Sequence, residues 1–263
     1  MITLTDQLGR PVSLEQPPSR IISLVPSQTE LLYYLGLDDR IVGITKFCTH
    51  PADKVKSKTK IGGTKQLDTP LIRSLDPDLI IANKEENERL QLQNLMADYP
   101  VYVSDPNDMD TALAMISDIG RLTSCQQAAD ELSSTISQQF AKLEEERLTG
   151  LSVAYLIWRK PYMVASKGTY IDDMLDRCGF VNVFKQQRYP EVSNEMLAAT
   201  RPDVVLLSSE PYPFKQKHID EFAQLLPGAI IKLVDGEMFS WYGSRMLYAP
   251  EYFIKLINSI QTI

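Results

Sequence analysis

Aromatic side chains gather in turns that follow predicted strands. They are Phe47, Trp158, Tyr162, Tyr189, Tyr212, Phe214, Phe239, Trp241 and Tyr242. Aromatic rings have few rotatable bonds, so they bury a flat ligand with little loss of conformational entropy. The turns are rich in polar residues, Pro and Gly, which favours contact with a ligand over packing in a core. Core or hinge packing is the alternative interpretation for each ring taken alone.

The residues that catalysis or a metal site would need are nearly absent. Only two histidines occur, His50 and His218, and there is no G-x-G-x-x-G, Walker or G-x-S-x-G motif. A His-rich metal site is therefore excluded, and a Ser-His-Asp triad would have to use one of these two residues. We expect His50 to lie at the surface of a polar loop and His218 to be solvated. The sequence predicts no enzyme, no cofactor and no resident metal ion.

Length, composition and charge narrow the class of protein. The 263 residues are 44% hydrophobic and carry a formal charge of −7, which excludes disorder and disfavours nucleic-acid binding. No apolar run approaches the roughly 20 residues that span a bilayer. The amino terminus shows no basic segment, apolar segment or lipobox cysteine. We therefore expect either that a leader has been removed or that the protein works in the cytoplasm.

The cysteines do not form a recognisable motif. Cys48, Cys125 and Cys178 are widely spaced, with no C-x-x-C pair among them. Cys125 and Cys178 lie in apolar helical patterns, and we expect both to be core thiols. The pattern requires no oxidising compartment and weakly favours a reducing one.

Alternating strands and helices must position the aromatic turns. The apolar run 21–25 predicts a strand buried on both faces, and the run 41–44 predicts a second one. Between them, Ser27 and Glu30 have the spacing of a capping box, which predicts that they open a helix ending at Gly36. The turn after the first strand then lies at the carboxyl edge of a parallel sheet, where α/β proteins bind ligands.

The chain repeats this pattern on both sides of a long helix. Asp76–Ala82 and Arg201–Leu207 share a helix stop, a Pro-Asp turn and a buried strand. Apolar residues recur at helical spacing from Ser124 to about Leu148, which is about 24 residues and roughly 36 Å. We predict two Rossmann-like α/β lobes with parallel sheets, joined by one rigid helix and enclosing a ligand cleft. The predicted segments are an amino-terminal lobe at 1–106, a helical linker at 107–150 and a carboxyl-terminal lobe at 151–263.

Four motifs in this order resemble one protein family. They are R-I-I-S-L-x-P-S-x-T-E-L at Arg20–Leu31, G-I-T-x-x-C-x-x-P at Gly43–Pro51, L-x-P-D-L-I at Leu75–Ile80 and C-G-F-x-N-V-F at Cys178–Phe184. The sequence resembles the class III periplasmic binding proteins of ABC importers, the helical-backbone metal receptors, and among them the vitamin B12 binders most. The resemblance implies reversible capture of a metal chelate, foremost cobalamin or another corrinoid, by a monomer that works with an ABC permease.

The resemblance also implies which residues contact the ligand. The positions that match the family's ligand site are Phe47, Trp158, Tyr162, Tyr189, Phe239, Trp241, Tyr242 and Arg245. Arg245 would hold an anionic or amide group of the ligand, with Asp235 the weaker candidate. The family places one acidic docking residue for the permease on each lobe, and Glu195 matches the second of these. In the first lobe Pro70 stands where Glu is usual, and the nearest carboxylate is Asp68.

Three other functions stay open at this point. The first is capture of an iron-siderophore or haem by the same fold, and the second is direct binding of Fe(III) by Tyr189, Tyr242 and Glu237. The third is a cytoplasmic corrinoid-handling protein or enzyme that docks with no permease.

Overall fold

The computed structural model describes residues 1–145, 147 and 150–261. Two compact units are present: residues 1–106, 110–135 and 242–245 form the first, and residues 107–109, 136–241 and those from 246 onward form the second. Of the segment predicted as a linker, residues 107–109 belong to the second unit and residues 110–135 to the first. Within the described ranges, no helix combines the length and apolar character that a membrane span requires.

The first unit contains a small hairpin and a five-stranded parallel sheet. The hairpin pairs β1 (Ile2–Thr5) with β2 (Pro11–Leu14). The sheet has the order β5-β4-β3-β6-β7, with β3 at Ile21–Ser23, β4 at Ile41–Ile44, β5 at Thr59–Lys60, β6 at Leu79–Asn83 and β7 at Val101–Ser104. Its helices are α1 (Pro26–Tyr34), α2 (Thr69–Ser74), α3 (Arg89–Met96) and nearly all of α4 (Met109–Thr123). Fully buried side chains such as Ile22 and Ile80, paired in register across β3 and β6, form its core.

The second unit contains a mixed sheet around a parallel centre. Its strands are β8 (Ser152–Trp158), β9 (Tyr162–Val164), β10 (Val181–Asn182), β11 (Glu191–Val192), β12 (Val204–Ser208) and β13 (Ile230–Val234). The order is β11-β9-β8-β12-β13, with β10 also paired to β8; β9 and β11 run antiparallel to their neighbours. Helix α5 (Gln126–Glu145) is divided between the units, and α6 (Tyr170–Arg177), α7 (Asn194–Thr200), α8 (Gln216–Leu225), α9 (Gly236–Ser240) and α10 (Ala249–Gln261) belong to the second. The predicted α/β class with parallel sheets is confirmed.

The predicted capping box at the start of α1 is wrong. The helix begins at Pro26, and its cap residue, Val25, makes no side-chain cap. Because the proline already lacks the first N–H and has a helical φ, the helix needs no serine cap there. Ser27 is buried inside the first turn, and Glu30 has a different partner, described below.

The long helix is shorter than predicted over its described length. Helix α5 runs for 20 residues, about 30 Å, from Gln126 rather than from Ser124. Ser124 has a positive φ of 61° and lies in the turn between α4 and α5. The predicted end at Leu148 lies outside the described residues. Cys178 is fully buried as expected, whereas Cys125, predicted to be a core thiol, is only partly buried because it lies in that same turn.

Candidate functional site

In the first unit, Phe47 presents an exposed ring beyond the carboxyl end of β4. The ring is 53% exposed, and the Lys46 ammonium lies 5.2 Å from its centroid. Gly63 packs directly beneath it, since a Cβ built there would lie 3.1 Å from the Phe47 Cε2 atom. The Lys46 N–H donates to the Gly62 carbonyl at 2.8 Å, which ties the two loops together. The structure therefore holds an aromatic face and a cation side by side at the sheet edge.

A buried polar cluster supports this loop from below. The Cys48 thiol lies 3.1 Å from the Thr29 hydroxyl and 3.3 Å from the Thr45 hydroxyl. The Thr29 hydroxyl also lies 2.7 Å from the Ser23 hydroxyl and 2.9 Å from the Val25 carbonyl. Burial raises the pKa of the Cys48 thiol, so the group stays neutral. The cluster joins the ends of β3 and β4, a role of Cys48 that residue spacing does not predict.

A second polar cluster fixes the loop after β6. Asn83 donates to the Ser104 carbonyl at 3.1 Å, and its side-chain oxygen accepts from the N–H groups of Glu85 and Glu86. Asn87 donates to the Leu24 carbonyl at 3.1 Å. Since Asn83 and Asn87 are both buried, these bonds hold the acidic turn against the ends of β3 and β7.

The short segment Tyr242–Arg245 belongs to the first unit and is anchored on α1. Arg245 donates to both carboxylate oxygens of Glu30, from Nε at 3.0 Å and from Nη2 at 2.8 Å. Gly243 has a φ of 102°, and a Cβ there would lie 3.3 Å from the Leu31 Cβ atom. Tyr242 is buried, exposing 7% of its surface. The predicted ligand-contacting arginine is thus engaged in a bidentate ion pair.

In the second unit, Trp158, the last residue of β8, meets Tyr212, which lies beyond the carboxyl end of β12. Trp158 is 39% exposed, and its ring packs edge-on against Tyr212 with centroids 5.9 Å apart. Tyr212 in turn contacts Phe214, with centroids at 4.8 Å. Trp158 therefore offers a free indole surface, whereas Phe214 is buried and supports the group from within.

Tyr162 and Arg159 converge on one carboxylate. Both donate to Glu221, Arg159 at 2.8 Å and Tyr162 through a short hydroxyl contact. Burial and the neighbouring Glu221 raise the pKa of Tyr162 to about 12, so its phenol keeps its proton at neutral pH. An open cavity of about 550 Å³ adjoins them, lined also by Lys160 and Glu191.

The remaining predicted contacts are less accessible. Phe239 has no exposed surface and packs against Phe253 and Tyr155, with centroids 4.6 and 5.0 Å away, so its ring has no face for a ligand. Trp241 is buried at 8% exposure, and Tyr189 is half-buried. Asp235 caps α9 by accepting from the Glu237 N–H at 3.1 Å, which commits one of its oxygens to the fold.

The expectation that His218 is solvated is wrong. The ring is 2% exposed, and its Nδ1 atom accepts the Lys215 N–H at 2.8 Å at the start of α8. Burial lowers the pKa of His218, which favours the neutral ring that this bond requires. His50 is half-buried. In the part of the chain that the structure describes, no group of three or more His, Cys, Asp or Glu side chains could hold a metal ion.

Asp68 and Glu195 lie on the first turns of two corresponding short helices. Asp68 is the cap residue of α2 and accepts the Leu71 N–H at 3.0 Å. In α7 the cap is Ser193, and Glu195 follows it, exposed, with a pKa lowered by a bond from the Ser193 hydroxyl. Asp68 therefore corresponds in position to Ser193, and Pro70 corresponds to Glu195.

Solved structures share this fold over nearly the whole chain. The periplasmic vitamin B12 binding protein of Vibrio cholerae superposes with a TM-score of 0.79 at 21% identity, covering 94% of this chain and 99% of that chain. A possible iron-binding (periplasmic solute-binding) protein of Staphylococcus epidermidis ATCC 12228 gives a TM-score of 0.78 at 26% identity, covering 93% and 99%.

Sequence relatives agree with the structural likeness. A vitamin B12-binding protein of Yersinia pestis (strain Pestoides F) is 27% identical over 94% of this chain and 89% of its own length. A family model described as periplasmic binding protein matches residues 21–227. The class that the fold and the matching family model define is a substrate-binding protein, not an enzyme. The chain belongs to the periplasmic binding protein family.

Proposed function

We propose that this protein reversibly binds a metal-chelate ligand, with cobalamin or another corrinoid as the leading candidate. The observation that carries the proposal is the exposure of two large rings, Phe47 and Trp158, at the carboxyl ends of parallel strands. Partly exposed rings that their neighbours already fix lose little entropy on binding. The vitamin B12-binding relative from Yersinia pestis, aligned over 94% of this chain, supports the choice of corrinoid.

Buried apolar surface supplies the binding free energy in this proposal. At about 25 cal/mol per Å², burying about 400 Å² of ring and ligand surface contributes roughly 10 kcal/mol before association costs. The partly exposed Tyr162 and Tyr189 and the more buried Trp241 and Tyr242 complete the proposed contacts. Phe239 is left out because it lies wholly in the core.

An iron chelate, either a ferric siderophore or haem, is the second candidate. The specific observation in its favour is the likeness to the protein of Staphylococcus epidermidis described as a possible iron-binding protein, at 26% identity. The Lys46 ammonium beside the Phe47 ring would suit the acidic groups that such ligands carry.

A visible-absorbance titration separates these candidates. Purified protein is titrated with cyanocobalamin, cobinamide, haem and ferric siderophores, and each binding constant is obtained from the spectral shift. We expect saturation with a corrinoid at lower concentration than with any iron chelate. Saturation by an iron chelate alone would replace the first candidate by the second, and no shift with any of them would refute both.

The proposal includes a periplasmic location and docking to an ABC permease through Glu195 and Asp68. Glu195→Arg and Asp68→Arg should abolish ligand uptake in cells that depend on this protein while leaving ligand binding in solution unchanged. Glu251→Arg, at a carboxylate exposed on α10, is the matched control. Uptake that survives both docking variants, or a native gene product found only in the cytoplasmic fraction, would contradict this part of the proposal.

A further inference from the structure

His218 is a buried histidine whose ring joins the start of α8 to the aromatic side chains that follow β12. Its Nδ1 atom accepts the Lys215 N–H at 2.8 Å, so the neutral ring carries its proton on Nε2. The Nε2 atom donates toward the Tyr212 hydroxyl oxygen, 3.4 Å away. The ring also packs against Tyr212 and Phe214, with centroids 5.6 and 5.4 Å distant. The neutral histidine therefore holds Tyr212 both by ring packing and through one nitrogen.

Tyr212 connects this histidine to the exposed indole of Trp158. The Tyr212 ring packs edge-on against Trp158 with centroids 5.9 Å apart. The Tyr212 N–H donates to the Ile157 carbonyl at 3.3 Å, which ties its main chain to the residue before Trp158. Trp158 is 39% exposed and is one of the two rings that carry the proposed function. A shift of the His218 ring would therefore pass through Tyr212 to the indole.

The surroundings of the His218 ring oppose a positive charge on it. Burial lowers the pKa of His218 most, nearby cations lower it further, and a single carboxylate raises it. That carboxylate, Glu221, is already engaged by Arg159 at 2.8 Å. Among the described residues, the titratable and charged groups that face the ring are the Tyr212 phenol and Lys215 from the loop after β12, Arg159 from the turn after β8, and Lys217 and Glu221 from α8.

Protonation would change the bonds that the ring can make. Both nitrogens of an imidazolium are donors, so Nδ1–H would face the Lys215 N–H at a distance at which two donors repel each other. The ring is only 2% exposed, so water cannot relieve this conflict unless the ring turns or moves outward. Either movement withdraws the surface against which Tyr212 packs.

We propose that His218 is a positioning residue, which holds the Tyr212–Trp158 pair while its ring is neutral and releases it in mild acid, so that ligand binding weakens as the pH falls. The inference rests on the proposed function, because it takes Trp158 as a ligand contact. His218 acts through Tyr212 and does not touch the ligand. A buried histidine that exchanges an acceptor for a donor is the element that biases the ring pair between its two arrangements.

The first test follows Trp158 without any ligand. The chain has two tryptophans, so Trp241→Phe leaves Trp158 as its single fluorescent indole. Acrylamide quenching is measured from pH 7.5 to 4.5, over the range in which circular dichroism shows a folded protein. We expect the quenching constant to rise about twofold with a midpoint below about 6.5, because a released Tyr212 no longer covers one side of the indole.

Variants in the Trp241→Phe background separate positioning from a purely structural role. His218→Asn, which keeps an acceptor for the Lys215 N–H, should give a quenching constant independent of pH, and His218→Gln repeats the test if the asparagine variant folds poorly. Tyr212→Leu removes the connecting ring and should also abolish the pH dependence. His50→Asn is the matched control, since it removes the other of the two histidines and should leave the titration intact.

The second test measures the binding constant of cyanocobalamin at pH 7.5 and 5.0. The wild type and His50→Asn should bind about fivefold more weakly at pH 5.0, whereas His218→Asn should bind equally at both. A flat quenching profile, or one that persists without His218 or without the Tyr212 ring, would overturn the positioning role whether or not a ligand binds. A titrating Trp158 with pH-independent binding would overturn the coupling to the ligand. No binding at either pH would refute the corrinoid proposal, while the quenching profiles still decide the role of His218.

Discussion

Phe47 and Phe239 were both predicted to lie in turns that face a ligand, yet Phe47 lies in a turn after β4 and Phe239 lies within α9. Phe47 leaves more than half of its ring exposed beside Lys46, whereas Phe239 is enclosed by Tyr155, Tyr252 and Phe253. One ring is therefore available to a ligand, and the other stabilises the fold. The two positions allow binding and folding to be tested separately.

Replacing each phenylalanine by alanine should have opposite effects. Phe47→Ala should weaken ligand binding at least tenfold and leave the free energy of unfolding nearly unchanged, because its ring is mostly solvated. Phe239→Ala should lower the free energy of unfolding by about 3–5 kcal/mol through the cavity it creates. Absorbance titration and urea unfolding measure the two quantities. Equal loss of stability in both variants would show that Phe47 is a packing residue.

His218 should make stability depend on pH in a defined direction. Its folded pKa lies below that of an unfolded histidine, about 6.5, so acid protonates the unfolded chain first. The free energy of unfolding should therefore fall as the pH drops below about 6.5. In His218→Asn, which keeps an acceptor for the Lys215 N–H, that part of the fall should disappear. Parallel pH profiles for both proteins between pH 7 and 5 would contradict the assignment.

At the scale of elements, the two units build the same corner twice. Asp78 accepts from the Ser19 N–H at 2.7 Å and from the Arg20 N–H at 2.9 Å, just before β3. Asp203 accepts from the Ser152 N–H at 2.7 Å and its hydroxyl at 2.6 Å, at the start of β8. Asp76 and Arg201, which follow the preceding helices, have φ values of 45° and 44°. Asp78 precedes β6 and fixes the start of the neighbouring strand β3, and Asp203 precedes β12 and fixes the start of the neighbouring strand β8.

Removing these carboxylates should destabilise the protein modestly. Asp78→Ala and Asp203→Ala should each lower the free energy of unfolding by about 1 kcal/mol, because two strand-start donors lose their acceptor at a partly solvated site. Asp39→Ala, at an exposed residue of the first unit, should change it little.

The contribution of Asp203 to the free energy of unfolding should also vanish in acid. Its bonds to Ser152 lower the pKa of Asp203, so the stabilisation is present above the unfolded pKa of about 3.9 and is lost as pH falls below it. Urea unfolding at pH 7 and pH 3 measures both effects, and equal deficits of Asp203→Ala at the two pH values would contradict the assignment.

For the molecule as a whole, the proposed function couples the free energy of unfolding to ligand binding. A ligand that binds only the folded chain, present at a hundred times its dissociation constant, should add about 2.7 kcal/mol of stability. For a protein of this size that raises the thermal midpoint by about 5–10 °C if unfolding is two-state. Differential scanning calorimetry with and without cyanocobalamin measures the shift. The midpoint of Phe47→Ala should rise less at the same concentration, and no rise for the wild type at spectrally saturating ligand would argue against binding to the native state.

Local pattern was sufficient for the longer strands of both sheets and for the family, whereas it did not predict the short strands β5, β9, β10 and β11. The apolar runs at 79–82 and 204–207, each bounded by a Pro-Asp turn, are too short for helices and too apolar for loops, so they predicted β6 and β12 correctly. The amphipathic run after Ser124 likewise predicted a long helix. These features depend on neighbours within a few residues, which is why the amino-acid sequence by itself determined them, together with the α/β class.

Tertiary structure alone decided the partners and the exposure of the side chains. Glu30 was predicted to cap α1, but its partner is Arg245, 215 positions away. His218 looked solvated among lysines, and packing against Tyr212 and Phe214 buries it. Phe47 and Phe239 could not be distinguished by spacing. Such outcomes depend on which distant surfaces the folded chain brings together, and no local periodicity encodes that.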